Sequence, residues 1–156
     1  MKGNDKIIEA LNARLKDELT AINQYMVHAA MCENWGYEEL HDAIEKRAIE
    51  EMKHAESLID RILFFDDARP IVSELDPMHF GAAVEKQHKN DWSAEEIAIK
   101  GYNESIRLAR ELGDNGTREL FESILKDEEE HIDWIEAQLD QIEQMGISAY
   151  LSEQIS

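Results

Sequence analysis

The sequence predicts an all-α fold: four long helices in a bundle, a long crossover between the second and third, and a short fifth helix at the C-terminal end. Three observations carry this expectation. Apolar residues recur at alternating three- and four-residue steps through four long stretches, the period of a helix with one buried face. The chain has 2 prolines, Pro70 and Pro77, and both fall in one interval. Glycine follows the first, third and fourth stretches, where a residue tolerant of left-handed backbone stops a helix.

The first helix is expected from about residue 5 to Trp35, with Gly36 ending it. Its inward stripe reads Ile8, Leu11, Leu15, Glu18, Ile22, Tyr25, Ala29. The second runs from about Glu38 to Phe65, with Ile44, Ala48, Glu51, Ala55, Leu58, Ile62 and Phe65 inward. The segment from Asp66 to His79 holds both prolines and reads as the connection. The third helix begins between Ala82 and Ser93 and ends near Leu112. Ser93 and Glu96 have capping-box spacing, but an earlier start gives a helix as long as its partners and is preferred. Its stripe is His88, Trp92, Glu95, Ile99, Tyr102, Ile106, Ala109. After the turn Gly113-Asp114-Asn115-Gly116, the fourth helix spans about Thr117 to Met145. Phe121, Ile124, Glu128, Ile132, Ile135, Leu139 and Ile142 face inward there. Gly146 breaks it, and the last ten residues or so form the fifth helix. Two hairpins joined by one crossover make a four-helix bundle, each helix of roughly 30 residues being about 45 Å long. Residues 1–156 are read as a single domain.

Composition excludes several classes. The 35 acidic residues against 16 basic ones give a net charge of -19, which repels phosphates, so nucleic acid is not an expected partner. No run of about 20 apolar residues exists to span a membrane. The polar N-terminus leads directly into a patterned helix and does not read as a secretory signal. Cys32 is the single cysteine. It leaves no internal disulfide and no Cys-rich metal module, fits a reducing cytoplasm, and is read as structural.

The chemistry lies in a repeated constellation. Glu51-Met52-Lys53-His54 and Glu128-Glu129-Glu130-His131 are two Glu-x-x-His motifs set 77 residues apart. Glu18 precedes the first by 33 residues and Glu95 precedes the second by 33. In every helix one glutamate interrupts the stripe that must face the core, and His54 and His131 share a face with Glu51 and Glu128. A lone Glu-x-x-His is usually an exposed charged pair. Two of them with matched core glutamates reproduce the known ligand pattern of dimetal carboxylate bundles. Burying four unpaired carboxylates costs on the order of several kcal/mol each, and the stripes supply no Lys or Arg at these levels. Two divalent cations would neutralise all four. Oxygen and nitrogen donors at high coordination suit iron or manganese better than a closed zinc site.

The echo extends to neighbours. Tyr25 follows Glu18 by seven residues, and Tyr102 follows Glu95 by seven. Each is placed to donate a hydrogen bond to a ligating carboxylate. Glu50 and Asp127, immediately before the two motifs, are placed to orient the histidine of the opposite motif.

These stretches resemble bacterioferritin: Glu18 through Tyr25, Asn34-Trp35-Gly36, Glu50 through Ala55, Arg61 through Phe64, Asp127 through Trp134, and Met145-Gly146-Ile147 followed by Tyr150-Leu151. The likeness covers nearly the whole chain and thins between residues 66 and 94. It implies a ferritin-like bundle in a hollow cytoplasmic shell of twenty-four subunits built from dimers, in which Fe(II) is oxidised by oxygen or peroxide and stored as ferric mineral. Glu18, Glu51, His54, Glu95, Glu128 and His131 would hold two irons per subunit as the ferroxidase centre, Tyr25 beside them, with Glu51 and Glu128 bridging. Met52 would ligate haem b or a related iron porphyrin shared between two subunits. The fifth helix, with Ile147, Ala149, Tyr150, Leu151 and Ile155, would form an exposed apolar patch on a lone subunit and line four-fold contacts. An electron-donor protein is the implied partner for releasing iron.

The chain departs from that pattern in two places. Lys46 and Glu50 stand where some bacterioferritins carry His and Asp at an inner-surface iron site, and a protonated lysine is no ligand. Tyr102 is not general in the family and is similar to rubrerythrin-like sites, which makes a peroxide-reducing di-iron protein with little storage the alternative. Rubrerythrins, however, carry a paired-cysteine rubredoxin-like module that Cys32 alone cannot build.

Overall fold

The computed structural model describes residues 1–155, and among them only helices, turns and loops occur. α1 spans Asp5–Asn34, α2 Glu38–Phe64, α3 Val84–Glu111, α4 Asn115–Met145 and α5 Ile147–Ser152. All five expected helices are present, and local chemistry explains their ends. Asn4 caps α1 by accepting from the backbone N–H of Lys6 at 2.8 Å. Asp114 caps α4 by accepting from the N–H of Thr117 at 3.0 Å, so α4 begins slightly before the expected Thr117. Gly36 and Gly146 hold φ of 86° and 83° at the ends of α1 and α4. The capping box at Ser93 is not used. Ser93 lies inside α3 and donates to the carbonyl of Lys89 at 3.2 Å.

Side-chain contacts fix the helix directions. Tyr25 of α1 meets Glu95 of α3, whereas Glu18, lower on α1, meets Tyr102, higher on α3. Contacts that climb one helix while descending the other mean antiparallel helices. The same holds for α2 and α4, where Glu50 meets His131 and His54 meets Asp127. With α1–α2 and α3–α4 joined by short turns, the order is up, down, down, up, and the α2–α3 connection must travel the bundle's length. It does so along α1. Asn12 bonds Arg69 and Ile71, Thr20 accepts from the N–H of Asp76, Gln24 from that of His79, and His28 from that of Gly81. Polar groups that would spoil a second buried face of α1 instead satisfy the backbone of the crossover.

The apolar interior falls into two clusters. One includes Leu11, Leu15, Leu58, Ile62, Tyr102, Phe121 and Ile124. The other includes Tyr25, Cys32, Leu40, Ile44, Ile142 and Tyr150. Each fully buried Leu or Ile contributes about 1.5–3 kcal/mol of burial free energy. The stripe expected on α2 is wholly buried. That of α3 is rotated: Trp92, Ile99 and Ile106 are half-buried, while Asp91, Ala98 and Ser105 lie inside. Beside the stripe of α2 lies a buried cation that the periodicity does not mark: Arg47 is 4% exposed. It makes an ion pair with Asp91 at 2.6 Å rather than with any of the four glutamates.

α5 is docked more firmly than the sequence suggests. Tyr150 is fully buried, not part of an exposed patch, and Leu151 is half-buried, which leaves Ile147, Ala149 and Ile155 outside. The Tyr150 hydroxyl donates to Gln138 at 2.6 Å, so Nε2–H of His88 donates to the phenol oxygen at 3.1 Å. The imidazole stacks on the Tyr150 ring and Nδ1 has no partner. Burial, with the positive charge of Arg47 next, lowers His88 to about 4. A histidine whose folded value lies below its unfolded one contributes stability above the unfolded value, and loses it as pH falls through the folded value. Stability against thermal unfolding is therefore expected to fall from about pH 6.5 to about pH 4, by up to about 3 kcal/mol from this group. His88→Phe should flatten that slope. Equal slopes in both proteins would assign the pH dependence elsewhere.

Candidate metal centre

Between the two apolar clusters the four long helices each contribute one buried glutamate. Glu18, Glu51, Glu95 and Glu128 are at most 1% exposed, and His54 and His131 are 6% and 7% exposed. The six form two overlapping groups. Glu18, Glu51, His54 and Glu128 can offer ligand atoms that all lie within 4.8 Å of one another, and so can Glu51, Glu95, Glu128 and His131. Glu51 and Glu128 belong to both groups. Glu18 and Glu95 belong to one each.

The histidines point the same way in both groups. Nδ1 of His54 lies 3.1 Å from Glu128, 3.5 Å from Glu18 and 3.6 Å from Glu51. Nδ1 of His131 lies 3.0 Å from Glu51, 3.5 Å from Glu95 and 3.8 Å from Glu128. The outward nitrogens are taken. Nε2 of His54 pairs with Asp127 at 2.8 Å, and Nε2 of His131 with Glu50 at 2.5 Å. That is the crosswise orientation expected of the two preceding acids, and it leaves Nδ1 of each ring directed inward.

The tyrosines also cross over. Tyr25 donates to Oε1 of Glu95 and Tyr102 to Oε1 of Glu18, both at 2.6 Å. Neither bonds the glutamate of its own helix, because seven residues separate them along the axis by about 10 Å. Burial, reinforced by Glu95 for Tyr25 and Glu18 for Tyr102, pushes both phenols well above their ordinary range, so they remain donors.

The electrostatics show what the cluster lacks. Burial raises Glu51 well above the usual carboxylate range, and the charges of Glu18 and Glu95 add to it. Burial and the charge of Glu51 do the same to Glu128. Burial opposes the charge on His54, yet Glu128 and Glu18 carry it up to about 11. Carboxylates packed this closely cannot all ionise without a counter-charge. The atoms left without a hydrogen-bond partner include Oε2 of Glu18, Oε1 of Glu51, Oε2 of Glu95, both oxygens of Glu128, and Nδ1 of both histidines. Orphaned buried acceptors converging from four helices are what a pair of metal ions would satisfy, and the donor set fits iron or manganese.

Met52 stands apart from this cluster. It is 45% exposed on the outside of α2, and Ile49, one turn earlier, is 43% exposed. A soft thioether beside an apolar surface suits a haem iron, and a second copy would have to supply the opposite ligand. Lys46 is exposed and lines a cavity of about 320 Å³ together with Arg47, Glu50, Glu130, His131 and Trp134. Glu50, the other departure from the family pattern, is engaged with His131.

Sequence reasoning missed one buried network. Asp91, fully buried, accepts from Gln24 at 3.0 Å, His28 at 2.8 Å and Arg47 at 2.6 Å. Arg47 in turn lies over the Tyr25 ring, 4.4 Å from its centroid. Gln24, His28, Arg47 and Asp91 are the one signal that could have marked it: polar residues at buried helical positions on three helices.

A ferritin-like domain family model matches residues 8–145. The bacterioferritin of Mycolicibacterium paratuberculosis is 37% identical over 156 residues, covering 100% of this chain and 98% of that one. The bacterioferritin of Rhodobacter capsulatus is 40% identical over 146 residues, covering 94% and 90%. A structure of the Rhodobacter capsulatus protein superposes with a TM-score of 0.98 at 37% identity, covering 100% of this chain and 97% of that chain. That structure is described as having a metal-free dinuclear site and haem iron in a crystallographic special position.

Proposed function

The chain belongs to the bacterioferritin family of ferritin-like proteins, and from that premise we propose that it stores and detoxifies iron as a ferroxidase. The observation that carries the reading is the set of orphaned, fully buried carboxylate and imidazole atoms from four helices. Glu18, Glu51, His54, Glu95, Glu128 and His131 bind two Fe(II) as substrate, Glu51 and Glu128 bridging. Each Fe(II) gives up one electron. Two electrons and two protons reduce oxygen to hydrogen peroxide, or hydrogen peroxide to two waters. The four glutamates balance the charge, while Asp127 and Glu50 keep the imidazoles facing inward. Tyr25 holds Glu95 beside the reacting ions. The four helices bury the carboxylates of the site away from bulk water.

Oxidised iron then enters the cavity of a closed shell, for which we propose twenty-four subunits built from dimers. Ile147, Ala149 and Ile155 on and after α5 are the apolar groups such contacts would cover. Met52 would hold haem between two subunits, and that haem would supply electron transfer for iron release, with an electron-donor protein as partner. No helix among the described residues is long and apolar enough to cross a membrane, and a cytoplasmic location belongs to the same proposal.

Iron loading tests the reading. Metal-free protein given excess Fe(II) in air should keep far more iron in solution than the two ions per subunit that six ligands hold. It should do so as one large particle by light scattering. Retention of only two per subunit would favour the peroxide-reducing alternative, and no bound iron at all would remove the dimetal site.

A further inference from the structure

We propose that Tyr102 is a positioning residue that sets the metal affinity of one half of the six-residue site, and that Tyr25 does the same for the other half. The inference rests on the dimetal reading above and goes beyond it by assigning half-site roles to the two phenols. Glu51 and Glu128 serve both groups, so Glu18 with His54 marks one half and Glu95 with His131 the other, and Glu18 and Glu95 are the carboxylates particular to each. Each of these two carboxylates has Oε1 held by a phenol at 2.6 Å and Oε2 buried without a partner. A glutamate's terminal torsion is otherwise broad and roughly two-fold. Fixing one oxygen leaves a single oxygen to face an ion, in one orientation.

Both phenols are themselves held. Tyr102 is fully buried, packs edge-on against Phe121 at 5.9 Å, and has the Arg14 guanidinium 5.9 Å from its ring centroid. Arg14 is fixed by Asp17 and Ser105, each at 3.0 Å. Gly101 makes room for it, since a Cβ there would stand 2.3 Å from the Arg14 Cζ. Around Tyr25 the corresponding parts are Arg47 and Asp91. The 77-residue offset that pairs Tyr25 with Tyr102 pairs Arg14 with Asp91, so the two supports are not copies of one another. Different residues meet the same geometric requirement on each side.

The test is a Co(II) titration of metal-free protein without oxygen, read by visible absorption of the bound ion. His131→Ala leaves only the group of Glu18, Glu51, His54 and Glu128. In that background Tyr102→Phe should weaken Co(II) binding roughly tenfold, the low end for loss of an outer-shell partner. In the His54→Ala background, which leaves the other group, Tyr102→Phe should change nothing, and Tyr25→Phe should take over its effect. Phenylalanine keeps the ring packed against Phe121, and circular dichroism checks that the helices remain. Unchanged affinity in the His131→Ala background, or an equal loss in both backgrounds, overturns the proposal. Failure of the otherwise unaltered protein to take up Co(II) overturns the dimetal reading itself and this inference with it.

Discussion

Glu128→Ala is expected to slow Fe(II) oxidation by well over about 100-fold, and Glu51→Ala to do the same. Outer-shell partners of a metal typically cost 10–100-fold when lost, and these two carboxylates are nearer to the chemistry than any outer-shell group. Each belongs to both ligand groups, so either substitution damages both halves at once. Either one also removes charge that helps offset two divalent ions. The protein should survive the change. Glu128 is fully buried, burial pushes its carboxyl well above the usual carboxylate range, and its nearest polar neighbour is Nδ1 of His54 at 3.1 Å, so in the metal-free state it supports the fold little. Removing a buried side chain of this size leaves a cavity costing roughly 2–5 kcal/mol. Relief of burying the polar carboxyl group offsets part of that cost. Stopped-flow absorbance of the ferric product, set beside circular dichroism of the same samples, separates the effects. A folded variant that oxidises Fe(II) at the original rate would remove Glu128 from the site.

Much of this cluster was legible in the sequence, because acidic residues repeated at core positions make a pattern that packing alone does not. A glutamate on a core stripe is conspicuous, and four at regular offsets leave few explanations. The crosswise partnership of Asp127 with His54 and Glu50 with His131 was readable for the same reason. The direction of the tyrosine hydrogen bonds was not, since it depends on α1 and α3 running antiparallel, which no local pattern encodes. Arg47 and Asp91 escaped because each looks like a surface charge at the margin of a stripe. Only the tertiary fold shows that they neutralise one another inside it. The rotation of α3 follows from the same cause. Asp91 and Ser105 are drawn inward by His28, Arg47 and Arg14, while Trp92, Ile99 and Ile106 turn partly outward. Tyr150 was read as part of a patch for assembly, and instead it closes one end of the monomer's own core.

Met52→Leu is expected to abolish haem binding while largely sparing Fe(II) oxidation. Successive residues of a helix are turned by about 100°, so a residue next to an inward ligand faces away from it. The burial agrees: Glu51 is 1% exposed and Met52 45%. One sulfur per subunit gives a six-coordinate haem iron only if two identical α2 helices face each other across a two-fold axis. The expected stoichiometry is therefore one haem per two subunits, with the low-spin spectrum of two thioether ligands. Leucine has nearly the volume of methionine and keeps the apolar surface, but has no lone pair to offer iron. Haem content per subunit, measured after reconstitution with excess haem, should fall close to zero. The initial rate of Fe(II) oxidation should stay within about two-fold, because Met52 is 45% exposed on the face of α2 turned away from buried Glu51. Normal haem content in Met52→Leu would move the axial ligand to another residue and leave the dimetal site untouched. Loss of Fe(II) oxidation together with haem would mean that the two sites are coupled through α2, and the independence argued from helix geometry would fail.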